Sequence, residues 1–294
     1  MTAHAHSEDR LVAAAFDQAP VGLALLDLTG RWFRINPALC AMLGFSAEEL
    51  LAQAPPTLVH AEDVEIEEEA AGRLAAGESG VTVEQRYRHR NGHVLWVRRT
   101  ATLVRDAAGI PEYIVAAYED IDARRSQDAR LAYLALHDAL TGLANRALLD
   151  DRLSQAIAAC EREGGVVAVL FCDVDGLKSV NDKYGHTFGD ELLVTVARRL
   201  GGQVRGGDTL ARLGGDEFVV VCNLRVPSDA ESMCRRLSTA VESGPDLTAP
   251  DGVPVPIRVS IGYAVSHDSR VDARTLLGRA DESMYAAKRR RGQA

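Results

Sequence analysis

Aromatic side chains are scarce in this chain, at 5% of its 294 residues. Its cores must therefore be aliphatic and rich in alanine. Paired cysteines are missing too. Cys40, Cys160, Cys172, Cys222 and Cys234 are odd in number and contain no CxxC, which excludes a disulfide framework and fits a reducing cytosol. Cys172 and Cys222 fall within apolar runs and read as small core hydrophobes. No long hydrophobic run occurs; the longest uncharged one, Val166–Cys172, is too short to cross a bilayer. Met1–Arg10 carries histidines and acids and no apolar signal core. These absences lead to the expectation of a soluble cytoplasmic protein with no direct membrane insertion. A broad basic face is absent as well: the net charge is -9, which argues against a nucleic-acid partner. The acidic run Glu62, Asp63, Glu65, Glu67, Glu68 and Glu69 reads as a solvated helix face and not as a metal site.

What is present is globular in texture, with 47% hydrophobic and 26% charged residues, and long enough for two domains. In the first half, Leu11–Gln18 reads as a helix stopped by Pro20. Val21–Asp27 and Arg31–Asn36 read as strands about the turn Leu28-Thr29-Gly30. Pro37 opens a helix that Gly44 ends. Ser46 and Glu49 have the spacing of a capping box. Thr82–His89 and His93–Val104 are strands joined by an Asn91-Gly92 turn, a strong hairpin signal. Tyr113–Tyr118 is a last strand. Ile121–Leu136 lacks Pro and Gly and should be helical, but its apolar spacing is too short and irregular for a coiled coil.

The second half alternates helices and strands. Ala147–Arg162, Asp190–Leu200, Ala230–Val241 and Asp272–Arg290 read as helices. Val166–Cys172 is a buried strand bounded by Gly164-Gly165. Thr209–Leu213 and Phe218–Cys222 flank a Gly-Gly-Asp-Glu turn and should form a hairpin. Val255, Ile257, Val259, Ile261, Tyr263 and Val265 alternate as a half-buried strand does. A central sheet with helices on it suggests a ferredoxin-like α+β core.

The chemistry lies at strand ends. A hydrophobic strand delivers Asp173, followed by a loop with Gly176 and Lys178. The hairpin delivers Asp216 and Glu217. If the two strands are neighbours, Asp173 and Asp216 converge and suit Mg²⁺, a hard ion that takes oxygen ligands and keeps phosphates in its shell. Gly214 and Gly215 let the backbone turn and a phosphate chain approach. Lys178 and the loop amides are placed to hold phosphate oxygens.

Two resemblances follow from these residues. Ala19–Asp27, Arg34–Cys40, Leu43–Leu50, Tyr87–Val97 and the exit Tyr118–Arg125 resemble a PAS sensory domain, an antiparallel sheet with flanking helices. Asp138–Arg146, Asp173–Asp190, Arg212–Phe218 and Ala280–Lys288 resemble the GGDEF diguanylate cyclases. Four motifs in the family's order make a far stronger signal than one. The expected division is a flexible N-terminus at 1–9, a PAS domain at 10–122, a signalling helix at 123–137 and a GGDEF domain at 138–294, with a nucleotide-cyclase palm-type sheet.

The second resemblance implies a Mg²⁺- or Mn²⁺-dependent condensation of two GTP into cyclic di-GMP, performed by a homodimer. Asp173, Asp216 and the Val174 carbonyl would ligate the metal. Asn181 and Asp190 would read the guanine edge, with His186 supporting that pocket. Lys178 and Lys288 would meet the triphosphate, and either Asp216 or Glu217 would accept the 3′-hydroxyl proton. Arg205 and Asp208 match the RxxD pattern of the family's product-inhibition site. Leu177 stands where the family often has phenylalanine. The family's arginine beyond Lys288 is replaced by Gly292, leaving Arg290 or Arg291 as substitutes. The rival readings are a non-catalytic receptor for GTP or cyclic di-GMP and a hybrid cyclase accepting ATP; the intact Gly214–Phe218 motif opposes the first and Asp190 the second. In the PAS half, His60, His89 and His93 are weak haem-ligand candidates. Cys40 lacks the surroundings of a flavin-adduct photosensor, and Trp32 and Trp96 read as core. The ligand of that half stays unnamed.

Overall fold

The computed structural model describes residues 2–163, 165–267 and 271–291. The backbone divides into two units between Ala129 and Arg130. Among the described residues, no helix is long and apolar enough to cross a membrane.

The first unit opens with α1 (Thr2–Gln18). This helix begins well before Leu11, because no Pro or Gly interrupts Thr2–Gln18, and it ends ahead of Pro20. Strands β1 (Gly22–Leu26) and β2 (Trp32–Ile35) follow, then helices α2 (Pro37–Leu43), α3 (Ala47–Leu51) and α4 (Val64–Ala75). Strands β3 (Gly80–Arg88), β4 (Val94–Arg105) and β5 (Pro111–Asp120) complete an antiparallel sheet in the order β2-β1-β5-β4-β3.

Buried Asn36 joins the inserted helices to this sheet. Its Oδ1 accepts from Leu23 N at 2.8 Å and Leu39 N at 2.9 Å, while Nδ2 donates to Val21 O at 2.9 Å and Phe16 O at 3.2 Å. The amide thus caps α2 and ties β1 with all four hydrogen bonds made. The capping box is formed: Glu49 N donates to Ser46 Oγ and Ser46 N to Glu49 Oε2.

Two further features of this unit depart from expectation. The acidic run is not a uniformly solvated face, since Asp63 and Glu67 are buried. Asp63 accepts from the Arg86 amide and guanidinium, and Glu67 pairs with buried Arg99, so each charge is compensated. Trp96 is half-buried and not core; the Arg125 guanidinium lies 3.8 Å from its ring centroid. Trp32 is in the core, where its Nε1 donates to Tyr118 Oη at 3.1 Å.

Helix α5 (Asp122–Leu136) runs across the division between the units and buries none of its residues. The second unit contains α6 (Arg146–Glu163), β6 (Val166–Val174), α7 (Leu177–Tyr184), α8 (His186–Gly201), β7 (Thr209–Gly214), β8 (Glu217–Leu224) and α9 (Ser228–Glu242). It ends with β9 (Leu247–Thr248), β10 (Pro254–Val255), β11 (Val259–Ser266) and α10 (Ala273–Arg291). The main sheet is antiparallel in the order β11-β6-β8-β7, the βαββαβ ferredoxin-like arrangement.

Every residue of β6 is buried, because helices cover both of its faces. Ala168, Leu170, Cys172 and Val174 meet the layer that includes α8 and α9. Val167, Val169 and Phe171 meet the layer that includes α6 and α10. The period of two thus assigns Asp173 to the α10 face. The strand expected over 255–265 is broken. Val255 pairs with Leu247 in a separate ribbon, and the ladder to β6 starts only at Val259. Pro254 and Pro256 lack the N–H that a continuous ladder needs.

One contact constrains this packing. A Cβ on Gly262 of β11 would fall 1.9 Å from Met284 N of α10. Gly262→Ala must therefore push α10 outward, with an expected cost of about 1–3 kcal/mol or more. Gly278, on α10, has open space around its would-be Cβ, and Gly278→Ala should be neutral or stabilising by up to about 1 kcal/mol. Urea unfolding of the two variants beside the parent checks the contrast; equal stabilities contradict the close approach.

Candidate active site

The site forms where the end of β6, the start of β8 and the last turns of α10 meet. Asp173 lies directly opposite Glu217 in the β6–β8 ladder, and Val174 N donates to Asp216 O at 3.0 Å. Between β7 and β8 only Gly215 and Asp216 stand outside the strands. Gly214 and Gly215 have φ of 139° and 53°, in the region that favours glycine, so the tight connection depends on them.

Lys288 reaches in from the last turns of α10, and its ammonium contacts Asp173 Oδ1. Burial pushes the Asp173 carboxyl above its ordinary value; Lys288 opposes this and nearby Asp216 adds to it. Burial alone would lower the Lys288 ammonium, but Asp173 holds it above its usual range. Glu217 is pushed up by burial and then by Asp281 and Asp216, and it lines a cavity of about 530 Å³ with Arg146 and Asp281.

These residues fit a hard divalent cation. Asp173 and Asp216 present oxygen donors whose mutual repulsion a cation relieves, and a lysine ammonium is already drawn to one of them. Among the described residues, no group of three or more His, Cys, Asp or Glu converges as a closed metal cage. That arrangement suits an ion held by one or two carboxylates and by substrate phosphates.

Lys178 does not sit in a loop. Gly176, at φ 76°, turns the chain directly into α7, so Lys178 is an exposed residue of that helix's first turn. The amides proposed to hold phosphate are therefore those of a helix N-terminus without a side-chain cap, where the helix dipole favours anions. Asn181 also lies on α7, and among the described residues its buried Oδ1 meets no hydrogen-bond partner. A Cβ on Gly189 would fall 1.8 Å from that oxygen, so glycine at 189 makes room for it. Asp190 follows on α8, and His186 is that helix's first residue; both are exposed.

Arg205 and Asp208 are not part of this cluster: they precede β7, at the end opposite the hairpin turn. Asp208 Oδ2 accepts from Arg205 N at 2.9 Å. Arg290 is exposed at the end of α10, whereas Gly292 and the side chain of Arg291 lie outside the described residues.

A family model described as "Diguanylate cyclase, GGDEF domain" matches residues 135–294. The chain belongs to the GGDEF family. A second model, described as "PAS fold", matches residues 16–126. Over 158 residues the chain is 46% identical to the bifunctional diguanylate cyclase/cyclic di-GMP phosphodiesterase MucR of Pseudomonas aeruginosa, covering 54% of this chain and 23% of that protein. Over 166 residues it is 39% identical to the diguanylate cyclase TpbB of the same species, covering 56% of this chain and 38% of that one. The chain thus spans well under half the length of these curated relatives. The coiled coil and GGDEF domain of DgcB from Caulobacter crescentus, solved in complex with c-di-GMP, matches with a TM-score of 0.52 and 29% identity, over 57% of this chain and 88% of that one.

Within the GGDEF unit, sequence reasoning missed what holds the hairpin. Arg212 Nε and Nη2 donate to Gly215 O at 3.1 and 2.7 Å, and its Nη1 donates to Asp138 Oδ1 at 3.0 Å. Asp138 also accepts from Thr141 N and Oγ1. Asn145, in the same motif, bonds back to Ala135 O and forward to Leu148 N in α6. Asp138–Arg146 is thus a knot that ties the ends of α5, α6 and β7. Both Asp138 and Arg212 lie inside family motifs, but nothing local pairs residues 74 positions apart.

Burial alone would raise the Asp138 carboxyl, but Thr141 and Arg212 more than offset it and hold it below its ordinary value. A depressed native pKa stabilises the fold above the unfolded value, about 3.9, and that contribution is lost as pH falls through the native value. Asp138→Asn should therefore cost about 1.5–3 kcal/mol at neutral pH. The gap from the parent should close at strongly acid pH. Denaturant unfolding at several pH values checks this, and a gap that does not change with pH contradicts it.

Proposed function

We propose that the GGDEF unit condenses two GTP molecules into cyclic di-GMP with release of two pyrophosphates, as a homodimer in which each protomer holds one GTP. The observation that carries this reading is the convergence of Asp173, Asp216 and Lys288 beside a helix N-terminus. The 3′-hydroxyl oxygen of one GTP attacks the α-phosphorus of the other, and the α–β phosphoanhydride bond breaks. Bound Mg²⁺, held by Asp173, Asp216 and the Val174 carbonyl, supplies charge neutralisation on the transferring phosphoryl group. Lys178, Lys288 and the first-turn amides of α7 take the remaining phosphate oxygens. Glu217 or Asp216 accepts the hydroxyl proton; burial, which raises the Glu217 carboxyl above its ordinary value, makes it the stronger base for that step than a solvated carboxylate.

Guanine is read by acceptors. The buried, unpartnered Asn181 Oδ1 and the Asp190 carboxylate meet the N1–H and 2-amino donors, with His186 at the pocket edge. Adenine has neither donor, so ATP leaves both oxygens unmet. The PAS region, residues 10–122, regulates this chemistry through the helix at 123–137. Arg205 and Asp208 form a product-binding brake: with Arg225 and Arg236 they line a cavity of about 570 Å³, which suits a phosphate-bearing ligand.

Purified chain supplied with GTP and Mg²⁺ is expected to yield cyclic di-GMP and pyrophosphate in a ratio of one to two. ATP should give no product. Asp216→Asn should reduce the rate by about a hundredfold or more. A stable dimer that makes no product at any GTP concentration contradicts the reading. Arg205→Ala should raise the cyclic di-GMP concentration needed for half-inhibition by at least about tenfold, the loss expected for a charge-assisted contact. An unchanged inhibition curve removes the brake from the account.

A further inference from the structure

Asp173 has a further carboxylate on each side of its strand. Asp216 lies on the β8 side, in the hairpin turn, where its carbonyl accepts from Val174 N. Asp175, the residue after β6, lies on the β11 side. Its N donates to Arg258 O at 3.0 Å, and its Oδ1 accepts from Ser260 Oγ at 2.9 Å. Ser260 is only 1% exposed, so close packing fixes the hydroxyl that holds this carboxylate.

The ladder and the helix bring Lys288 to the same place. Ser260 pairs directly with Asp173 between β11 and β6, and directly opposite residues of an antiparallel pair share a face. Gly262, two residues on, lies under Met284 of α10. Four residues of helix advance about 6 Å and two of strand about 7 Å, so Lys288 comes over Ser260 as Met284 comes over Gly262. The contact of its ammonium with Asp173 Oδ1 fits that placement. Burial works to lower this ammonium; Asp173, and after it Asp175, hold it up.

The two neighbours of Lys288 have different duties. A cation shared by Asp173 and Asp216 lies towards β8, engages Asp173 and repels the lysine. Asp175, tied to Ser260 on the other flank, keeps a negative charge beside the ammonium. The Lys288 side chain is a flexible stem, 40% exposed, and has solvent to turn into when no such charge holds it. A carboxylate that merely closed the turn would need no charge, since an amide oxygen also accepts from Ser260.

We infer that Asp175 is a positioning residue of the proposed cyclase site: anchored by Ser260, its carboxylate keeps the Lys288 ammonium at the end of β6 when a cation engages Asp173, so that Lys288 meets the triphosphate. This inference rests on the proposed GTP reading of the site.

A double-mutant cycle tests it, read by calorimetric titration of the full chain with Mg²⁺ and a GTP analogue whose α–β bridging oxygen is replaced by methylene. Asp175→Asn keeps an acceptor for Ser260 and loses only the charge. It should weaken the analogue about tenfold, the scale of one charge-assisted contact. In a Lys288→Ala background the same change should cause no further loss. Ser260→Ala leaves the charge and removes its anchor; it should weaken the analogue by a smaller factor, again only while Lys288 is present. The unfolding temperature of each variant shows that it is folded. A parent that binds no analogue overturns the reading of the site and this inference with it. A parent that binds, with folded Asp175→Asn as tight as the parent or with its loss undiminished in Lys288→Ala, overturns the inference alone.

Discussion

Helix α10 lies against β11 only because residue 262 has no side chain. The backbone nitrogen of Met284 occupies the space that any Cβ would need. Tyr263 N, next along the strand, donates to Ser283 Oγ on the helix, and this fixes the helix along the strand as well as above it. A helix set by Gly262 carries Lys288 to the end of β6, where its ammonium meets Asp173. A displacement there would separate the two charges. Asp173, pushed up by burial, would then lose the group that opposes that shift. The electrostatics of the site thus rest on a packing contact in the sheet layer.

The second carboxylate is held differently. Asp216 sits in a connection too short to have structure of its own, and its position comes from the two strands and from Arg212. That guanidinium bridges the Gly215 carbonyl and Asp138, so the hairpin turn is fastened to the loop that also starts α6. One carboxylate rides on a fully buried strand and the other on a clamped turn. Both are therefore preorganised before any ligand arrives, which is what electrostatic stabilisation of phosphoryl transfer requires.

Much of this was legible along the chain where the cause is local. The Gly214-Gly215 turn, the Ser46–Glu49 capping box and the apolar run of β6 each depend on neighbours within a few residues. Cys172 and Cys222, placed in the core by their apolar surroundings, are indeed buried there. What escaped depends on partners far away in sequence. Asp63 and Glu67 looked like part of a solvated acidic face because the guanidiniums that compensate them come from β3 and β4. Gly189 and Gly262 look like ordinary glycines until Asn181 and Met284 are placed beside them. The start of helix α7 looks like a loop in the sequence because Gly176 resembles a turn, yet its left-handed φ is what starts the helix. Pro256 was overridden by an alternating pattern that continued past it.

In the proposed reaction, Asp173 and Asp216 together hold the cation that receives the triphosphate. The most direct measurement is anomalous diffraction from crystals of the chain grown with Mn²⁺ and a GTP analogue whose α–β bridging oxygen is replaced by methylene. An Mn²⁺ peak is expected between the two carboxylates, with Lys288 drawn from Asp173 onto a phosphate oxygen. A nucleotide bound with no Mn²⁺ between them, or Mn²⁺ held by other residues, would contradict it.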